Sequence, residues 1–290
     1  MKKLKPWQIV LLVIFYPIGI IYLIYWIVKK MADNAKSSKS SQHIPTTQKS
    51  TEQILEEARK RSAEATIARQ SYKNNKQDEF ANLLNSIPRV TITPAPSAAK
   101  QNINVSDFYL DTTQLRKNTN YSRVSNFVVV DTETTGLKTG KDKIIQVSAI
   151  RFENCSPTEI FTTYINPGCH ISEEATHING ITDEMVADAP TFESILPALE
   201  EFIGASTLVG HNLPFDIKFL RKSGYDSLKI QRMYFDTAEL SRKYDDIESH
   251  KLTDACEEHN IFFHAHDSSE DALASGLLFV DYLKDKIGNI

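Results

Sequence analysis

Acidic side chains follow predicted strands at several points in the C-terminal half of this 290-residue chain. Asp131 comes directly after an apolar run, and Glu133, two residues later, lies on the same side of an extended chain. Asp216 follows the predicted strand at residues 207–209, and Asp271 lies near the start of the last predicted helix. Ligand sites in α/β sheets gather at the carboxyl ends of strands, so we expect these carboxylates to converge.

Carboxylates that converge need a cation, because like charges in close contact raise one another's pKa. A hard divalent ion with oxygen ligands meets this need, and Mg²⁺ or Mn²⁺ suits a set made of carboxylates. His266 lies five residues before Asp271 and is a candidate base. Each of these residues alone is typical of a turn, a helix cap or a solvated surface. Their combination is what indicates a metal-dependent site.

A mixed sheet flanked by helices is the framework that these positions require. Apolar and β-branched runs predict strands at residues 127–130, 144–152, 159–165, 207–209 and 233–235. Helical spacing and end signals predict helices at residues 182–187, 192–203, 214–223, 237–244, 252–259 and 268–284. Three successive strands followed by alternating helices and strands predict an α/β fold with a mixed central sheet.

Three segments resemble the motifs of the DEDDh 3′–5′ exonuclease superfamily. Asp131-Thr-Glu-Thr-Thr-Gly-Leu137 is similar to its first motif, and His211-Asn-Leu-Pro-Phe-Asp216 to its second. His266-Asp-Ser-Ser-Glu-Asp271 is similar to its third, in which a histidine precedes the last aspartate by five. The segments 178–185 and 235–237 are similar to weaker landmarks. The resemblance covers residues 126–285 and is greatest to proofreading epsilon-subunit-like exonuclease domains.

The resemblance implies a ribonuclease H-like fold that hydrolyses phosphodiesters with two Mg²⁺ or Mn²⁺ ions. Asp131 would bridge both ions, Glu133 and Asp271 would hold the ion beside the nucleophile, and Asp216 would serve the leaving-group ion. His266 would take a proton from the attacking water, with His264 as the rival base. The residues around Thr134 and Leu137 would contact the terminal nucleotide. Asn212 would support the metal-site loop.

The implied activity is release of nucleoside 5′-monophosphates from single-stranded nucleic-acid 3′ ends, with DNA favoured. The alternatives are a short-RNA, oligoribonuclease-like exonuclease and a non-catalytic, membrane-tethered nucleic-acid-binding module. Gln146, Ser148 and Ser268 depart from the residues that family members often carry, although none is an expected metal ligand. We expect these departures to bear on the fit of the sugar and base rather than on activity itself.

Charge divides the chain into two parts. Residues 1–125 carry a net charge of +10, and residues 126–290 carry −14. The basic part suits anionic lipid headgroups, or a polyanion held near the acidic domain. Cys155, Cys169 and Cys256 are too few and too widely spaced for a disulfide scaffold or a CxxC zinc site. No particular protein partner is indicated.

An uncharged apolar segment near the N-terminus predicts one transmembrane helix. Residues 7–28 contain no charged side chain, and as a helix they would measure about 33 Å, enough to cross the hydrocarbon layer. The alternative is a cleaved secretory signal, but the run is longer than such signals and lacks a small-x-small cleavage site. We therefore expect a single-pass anchor in the cell membrane. Flanking lysines favour a cytoplasmic catalytic domain.

A flexible basic stem is predicted between the anchor (1–30) and the catalytic domain (126–290). Residues 31–50 are rich in Ser, Thr and Lys, which is typical of a tether. Residues 51–87 have a loose helical spacing that predicts one or two solvated helices, and prolines follow. Residues 98–125 are polar and predict an irregular lead into the domain.

Overall fold

The polypeptide is seen here as a computed structural model that describes residues 29, 51–94, 116–117, 124–225 and 233–285. The chain divides into two units, Met1–Arg61 and Ser62–Ile290. In the first unit, the described residues are Lys29 and the helical residues 51–61. The predicted membrane helix at residues 7–28 lies outside the described part of the chain. No helix among the described residues combines the length and the apolar character needed to cross a bilayer.

Six described strands of the second unit form one mixed sheet in the order β1-β6-β5-β2-β3-β4. The long strands β2, β3 and β4 pair antiparallel, while β1, β6 and β5 continue the sheet in parallel from β2. Helices cover both faces, so the successive residues Val128, Val129 and Val130 of β2 are all buried. The strands are β1 Arg116–Lys117, β2 Phe127–Thr134, β3 Ile144–Glu153, β4 Ser156–Tyr164, β5 Leu208–Gly210 and β6 Met233–Asp236.

Eight described helices accompany the sheet. They are α1 Thr51–Ser86, α2 Glu173–Asn179, α3 Asp183–Val186, α4 Phe192–Ile203, α5 Pro214–Lys222, α6 Thr237–Tyr244, α7 Leu252–Glu258 and α8 Ser268–Asp285. Helix α8 packs on one face, where Phe279 meets Phe127 edge-on. Gly276 lets α8 approach the sheet, because a Cβ there would lie 2.4 Å from the Phe152 ring. Helices α4 and α5 pack on the other face.

The predicted mixed α/β architecture is confirmed. Each predicted strand of the domain is present, and the helices predicted at 192–203 and 237–244 have the predicted bounds. Strand β2 extends four residues beyond its predicted end and therefore includes both Asp131 and Glu133. Helix α2 was not predicted, although Ser172 caps its first turn and Gly180 ends it in the left-handed conformation.

Helix α1 belongs partly to the second unit. Its last turns bury Phe80 and Leu84 in the same core as α8, together with Ile87 just beyond the helix. Residues 88–90 then run beside β4, where the Val90 N–H donates to the Ile160 carbonyl at 2.9 Å. The compact unit thus extends further toward the N-terminus than the boundary predicted at residue 126. Of the other stem residues, 31–50, 95–115 and 118–123 lie outside the described part.

Candidate active site

The end of β2 carries the first two carboxyl groups. Alternation along the strand buries Thr132 and Thr134, and leaves Asp131 and Glu133 partly accessible on the opposite side. Asp131 pairs in register with Ser148 of β3, and Glu133 pairs with Gln146. Asp131 and Glu133 therefore lie on one side of an extended strand, as predicted.

Asp216 reaches the same region from the first turn of α5. Parallel pairing of β5 with β2 brings the start of this helix beside the strand. The Asp216 carboxylate is buried, and one oxygen accepts hydrogen bonds from Thr132, at 2.9 Å from its N–H and 2.7 Å from its hydroxyl. These two donors fix the carboxylate against β2.

The third group comes from the turn that opens α8. The Asp271 carboxylate accepts a hydrogen bond of 3.2 Å from the His266 N–H, so the two residues belong to one turn. Ligand atoms of Glu133, His266 and Asp271 all lie within 4.8 Å of one another. His264 instead lies with its Nδ1 3.6 Å from a Glu270 carboxylate oxygen.

The carboxyl groups interact strongly with one another. Burial, followed by the charges of Asp216 and Asp271, raises the pKa of Asp131 well above its usual range. Burial and the charge of Asp271 raise the pKa of Glu133 to about 8. The pKa of Asp216 and that of Asp271 are each raised to about 7, mainly by burial. The four acids therefore form one electrostatic unit.

This unit fits a divalent cation. One Asp271 oxygen, Oδ1, is buried and has no hydrogen-bond partner among the described residues, as expected of an oxygen reserved for a ligand. A positive ion favours the ionised form of carboxylates whose pKa is raised by burial and by neighbouring negative charge. The carboxylate oxygens of Glu133 and Asp271, which lie within 4.8 Å of each other, are ligands of the kind that Mg²⁺ or Mn²⁺ accepts. The arrangement is one that could hold a divalent metal ion.

Several supporting residues were not predicted. Asn179, at the end of α2, hydrogen-bonds Glu133 and its amide lies 3.4 Å from the Thr134 carbonyl. Asp267 caps α8 by accepting from the Ser269 N–H at 2.9 Å. Burial acts to raise the pKa of Asp267, but hydrogen bonds from Ser269 and Gln146 outweigh it, and the pKa is lowered. The signal for Asn179 was its place inside the landmark segment 178–185.

The three predicted substrate contacts occupy different settings. Leu137 is 80% exposed on the loop after β2, beside the buried Thr134, whose hydroxyl donates to the Gly136 carbonyl. Asn212 is exposed, has a φ of 58°, and donates its N–H to Asp236 at 2.8 Å. Asp236 also caps α6, so this one carboxylate joins the loop of Asn212 to a rigid helix.

A family model described as exonuclease (RNase T) matches residues 128–279, more than half of the chain. The chain belongs to this exonuclease family. One exonuclease relative is the DNA polymerase III subunit epsilon of Aquifex aeolicus, 33% identical over 165 residues, which are 55% of this chain and 81% of that protein.

Other relatives are much longer. The PolC-type DNA polymerase III of Caldanaerobacter subterraneus is 38% identical over 161 residues, which are 54% of this chain but 12% of that protein. The 3′-5′ exonuclease DinG of Bacillus subtilis is 36% identical over 165 residues, 54% of this chain and 18% of that protein. The chain thus spans less than a fifth of the length of these two relatives.

The family assignment agrees with the fold. The structure of E. coli exonuclease I in complex with single-stranded DNA superimposes with a TM-score of 0.51 at 19% identity, over 58% of this chain and 42% of that one. At this identity the likeness concerns the fold, which is the mixed α/β fold of ribonuclease H-like exonucleases. The expected exonuclease fold is therefore confirmed for the described domain.

Proposed function

We propose that this protein is a metal-dependent 3′→5′ exonuclease that releases nucleoside 5′-monophosphates from single-stranded nucleic-acid ends. The observation that carries the proposal is the electrostatic unit of four carboxyl groups with His266 beside Glu133 and Asp271. A module that only binds nucleic acid has no need of four buried or partly buried acids in one place, since their negative charge weakens the binding of a polyanion. Membership of the exonuclease family supports the same reaction.

We assign the binding of two Mg²⁺ or Mn²⁺ ions to Asp131, Glu133, Asp216 and Asp271. When bound, such ions stabilise the attacking and leaving oxygens of an in-line displacement at phosphorus. The two hydrogen bonds from Thr132 would hold Asp216 in its orientation throughout. His266 would accept the proton of the attacking water, because its imidazole is exposed beside Glu133 and Asp271 and can pass the proton on to solvent.

The terminal nucleotide would lie against the loop after β2. Leu137 offers an exposed apolar side chain there, and Ile178 and Met185 offer two more on α2 and α3. Exposed apolar side chains of this kind can pack against a nucleobase without reading its identity. The backbone around Thr134 would also meet the terminal nucleotide, and Asn212 would support the metal-site loop.

Activity on oligonucleotides tests the proposal directly. The full-length chain should shorten a 5′-labelled single-stranded DNA stepwise in the presence of Mn²⁺, and a 3′-labelled strand should yield labelled mononucleotide first. Asp131→Ala should lower the rate by about 10³-fold or more, because the ions lose a shared ligand. Asp188→Ala, at an exposed aspartate outside the site, is the matched control. Equal rates for both variants would reject the proposal.

DNA is the favoured substrate, and matched RNA oligonucleotides provide the comparison. Solved relatives of this fold include complexes of exonuclease I with single-stranded DNA, which supports a single-stranded substrate. Faster turnover of two- to five-residue RNA than of DNA would change the substrate to short RNA while leaving the chemistry intact. Binding without cleavage of either would favour the non-catalytic module.

We further propose that residues 7–28 anchor the enzyme in the cell membrane, with the catalytic domain in the cytoplasm. The support is the uncharged 22-residue run and its flanking lysines. Alkaline carbonate should leave the full-length chain in the membrane pellet and release a chain that begins at Ser62. A reporter enzyme fused after Lys30 should be active on the cytoplasmic side; activity on the opposite side would reverse the orientation.

A further inference from the structure

Gln146 is buried next to the candidate active site and hydrogen-bonds the turn that carries two of its residues. Its amide N–H donates to Asp267 Oδ2 at 3.2 Å, and its amide oxygen accepts from the Ser268 N–H at 3.2 Å. The orientation of the amide follows from chemistry, because a carboxylate can only accept and a backbone N–H can only donate. A single side chain of β3 thus hydrogen-bonds both Asp267, the residue before α8, and Ser268, the first residue of α8.

This start of α8 sets the positions of His266 and Asp271. The Asp271 N–H donates to the Asp267 carbonyl at 2.9 Å, and the His266 N–H donates to the Asp271 carboxylate at 3.2 Å. His266 has a φ of 74°, a left-handed conformation that costs about 1 kcal/mol or more for a residue other than glycine. Such a conformation persists only where its surroundings hold it. The hydrogen bond from the His266 N–H to Asp271 holds it here, in a turn whose next two residues, Asp267 and Ser268, are bonded to Gln146.

A second hydrogen-bonded connection runs parallel to the first. The Ser148 hydroxyl lies 2.7 Å from the Ser268 hydroxyl and 2.8 Å from the Thr162 hydroxyl. These contacts join β4 and β3 to the side chain of Ser268, whereas Gln146 bonds the Ser268 backbone N–H and Asp267. Thr162 therefore lies in the same polar network as Gln146 without contact to the turn.

We propose that Gln146 is a positioning residue, whose amide fixes the turn that delivers His266 and Asp271 to the acids of β2. This inference rests on the proposed exonuclease function. Gln146 is not one of the residues assigned to the ions, and its hydrogen bonds to Asp267 and Ser268 favour a role in holding the turn over the role in sugar and base fit that was expected from the sequence. Because Gln146 is the β3 residue in register with Glu133, it ties the turn to the strand position that carries one of the acids.

Three variants of the full-length chain separate positioning from simple packing. Gln146→Met keeps the side-chain volume and removes both hydrogen bonds. Gln146→Glu keeps the acceptor for Ser268 but sets an oxygen against the Asp267 carboxylate. The double variant Gln146→Glu with Asp267→Asn restores the pair in reverse, because the asparagine amide at position 267 could donate to the new carboxylate while its oxygen still caps α8.

We expect both single variants to lower kcat about 10- to 100-fold, with KM changed less than threefold, because a misplacement of about 1 Å has a cost of this size. The double variant should recover most of the lost kcat, so that the two substitutions are strongly non-additive. Thr162→Val is the matched control and should keep wild-type kcat. Hydrogen exchange of residues 264–271, measured without metal, should be faster in Gln146→Met and unchanged in Thr162→Val.

Two results would overturn the inference: wild-type kcat in Gln146→Met, or a folded double variant as slow as Gln146→Glu. If Gln146→Met does not fold, the comparison of Gln146→Glu with the double variant still decides. A wild-type chain without nuclease activity would reject the proposed function instead. In that case hydrogen exchange of residues 264–271 still tests whether Gln146 holds the turn. Unchanged exchange in Gln146→Met would show that the turn does not depend on Gln146.

Discussion

His211 shows how one residue of a motif can serve the structure rather than the reaction. Its Nε2 donates to the His250 carbonyl at 2.9 Å, and its Nδ1 lies 3.0 Å from the Thr237 hydroxyl. Burial lowers the pKa of this imidazole to about 4. The neutral ring therefore connects the end of β5 to the start of α6 and to the loop before α7, a structural role that differs from the proton transfer proposed for His266.

This environment predicts a loss of stability in acid. The unfolded chain binds a proton at His211 below about pH 6.5, whereas the folded chain does so only near pH 4. The stability that depends on neutral His211 is therefore fully present above pH 6.5, and the free energy of unfolding decreases as the pH falls toward 4. Between pH 7 and 4.5, the free energy of unfolding of the wild type should fall about 2–3 kcal/mol more than that of His211→Asn. Urea unfolding at both pH values measures the difference, and equal falls would contradict it.

A pair of substitutions decides which histidine acts as the base. Asparagine tolerates the positive φ of His266 but cannot take up a proton. His266→Asn should lower kcat by about 10²- to 10⁴-fold while the variant still binds an oligonucleotide. His264→Asn, at an exposed histidine two residues earlier, should keep most of the activity. Kinetics and a binding assay on both variants check the assignment; the reverse pattern would make His264 the base.

At the scale of elements, α1 is both an exposed rod and a part of the core. Residues up to Ser71 are exposed wherever their side chains are described, but Phe80 and Leu84 are buried against the α8 side of the sheet. Lys73 and Arg69 also pair with Glu257 of α7, although such exposed pairs contribute little to stability. The helix therefore depends on its last turns for its attachment.

Two truncations on the same helix test this division. Phe80→Ala removes a ring that is 5% exposed and packs on Phe263, and should cost about 3–5 kcal/mol of unfolding free energy. Ile67→Ala, at a side chain 66% exposed, should change the free energy by less than about 0.5 kcal/mol. Urea unfolding of the two full-length variants compares them. Similar values would mean that the end of α1 is not part of the core.

The sequence predicted most elements because their signals are local. Apolar runs gave β2 to β6, and the periodicity of α4 and α6 gave their bounds. The attachment of α1 could not be predicted, because Phe80 and Leu84 acquire their partners from residues nearly two hundred positions later. The acids of the site were predicted from strand ends and motifs. The hydrogen bonds of Gln146 and Asp267 were not, because they depend on the register of β3 against α8 across 121 residues.

At the scale of the whole molecule, the acidic domain is expected to be incomplete without cations. The pKa values of Glu133, Asp216 and Asp271, at about 8, 7 and 7, lie well above those of carboxyls in an unfolded chain. These three acids therefore hold more protons in the folded protein between about pH 4 and 8, and their contribution to the free energy of unfolding without metal should decrease as the pH rises through that range. Cations that bind the ionised acids should oppose this decrease.

Thermal unfolding with and without Mg²⁺ measures this coupling. We expect saturating Mg²⁺ to raise the Tm, and the increase to be larger at pH 8 than at pH 5, where protons compete with the ion. Asp271→Asn should reduce the increase, while Asp188→Asn should leave it unchanged. An increase independent of pH, or one retained in Asp271→Asn, would indicate that the ions bind elsewhere.

Residues 88–90, which run beside β4, limit how far the protein can be shortened from its N-terminus. Both backbone groups of Ile160 are satisfied by residues 88–90, through its N–H to the Pro88 carbonyl and its carbonyl to the Val90 N–H. A polypeptide that began at residue 95 would leave these groups of an outer strand open to another chain, a common route to aggregation. Light scattering from such a chain should grow with its concentration, even if its catalytic groups were correctly assembled.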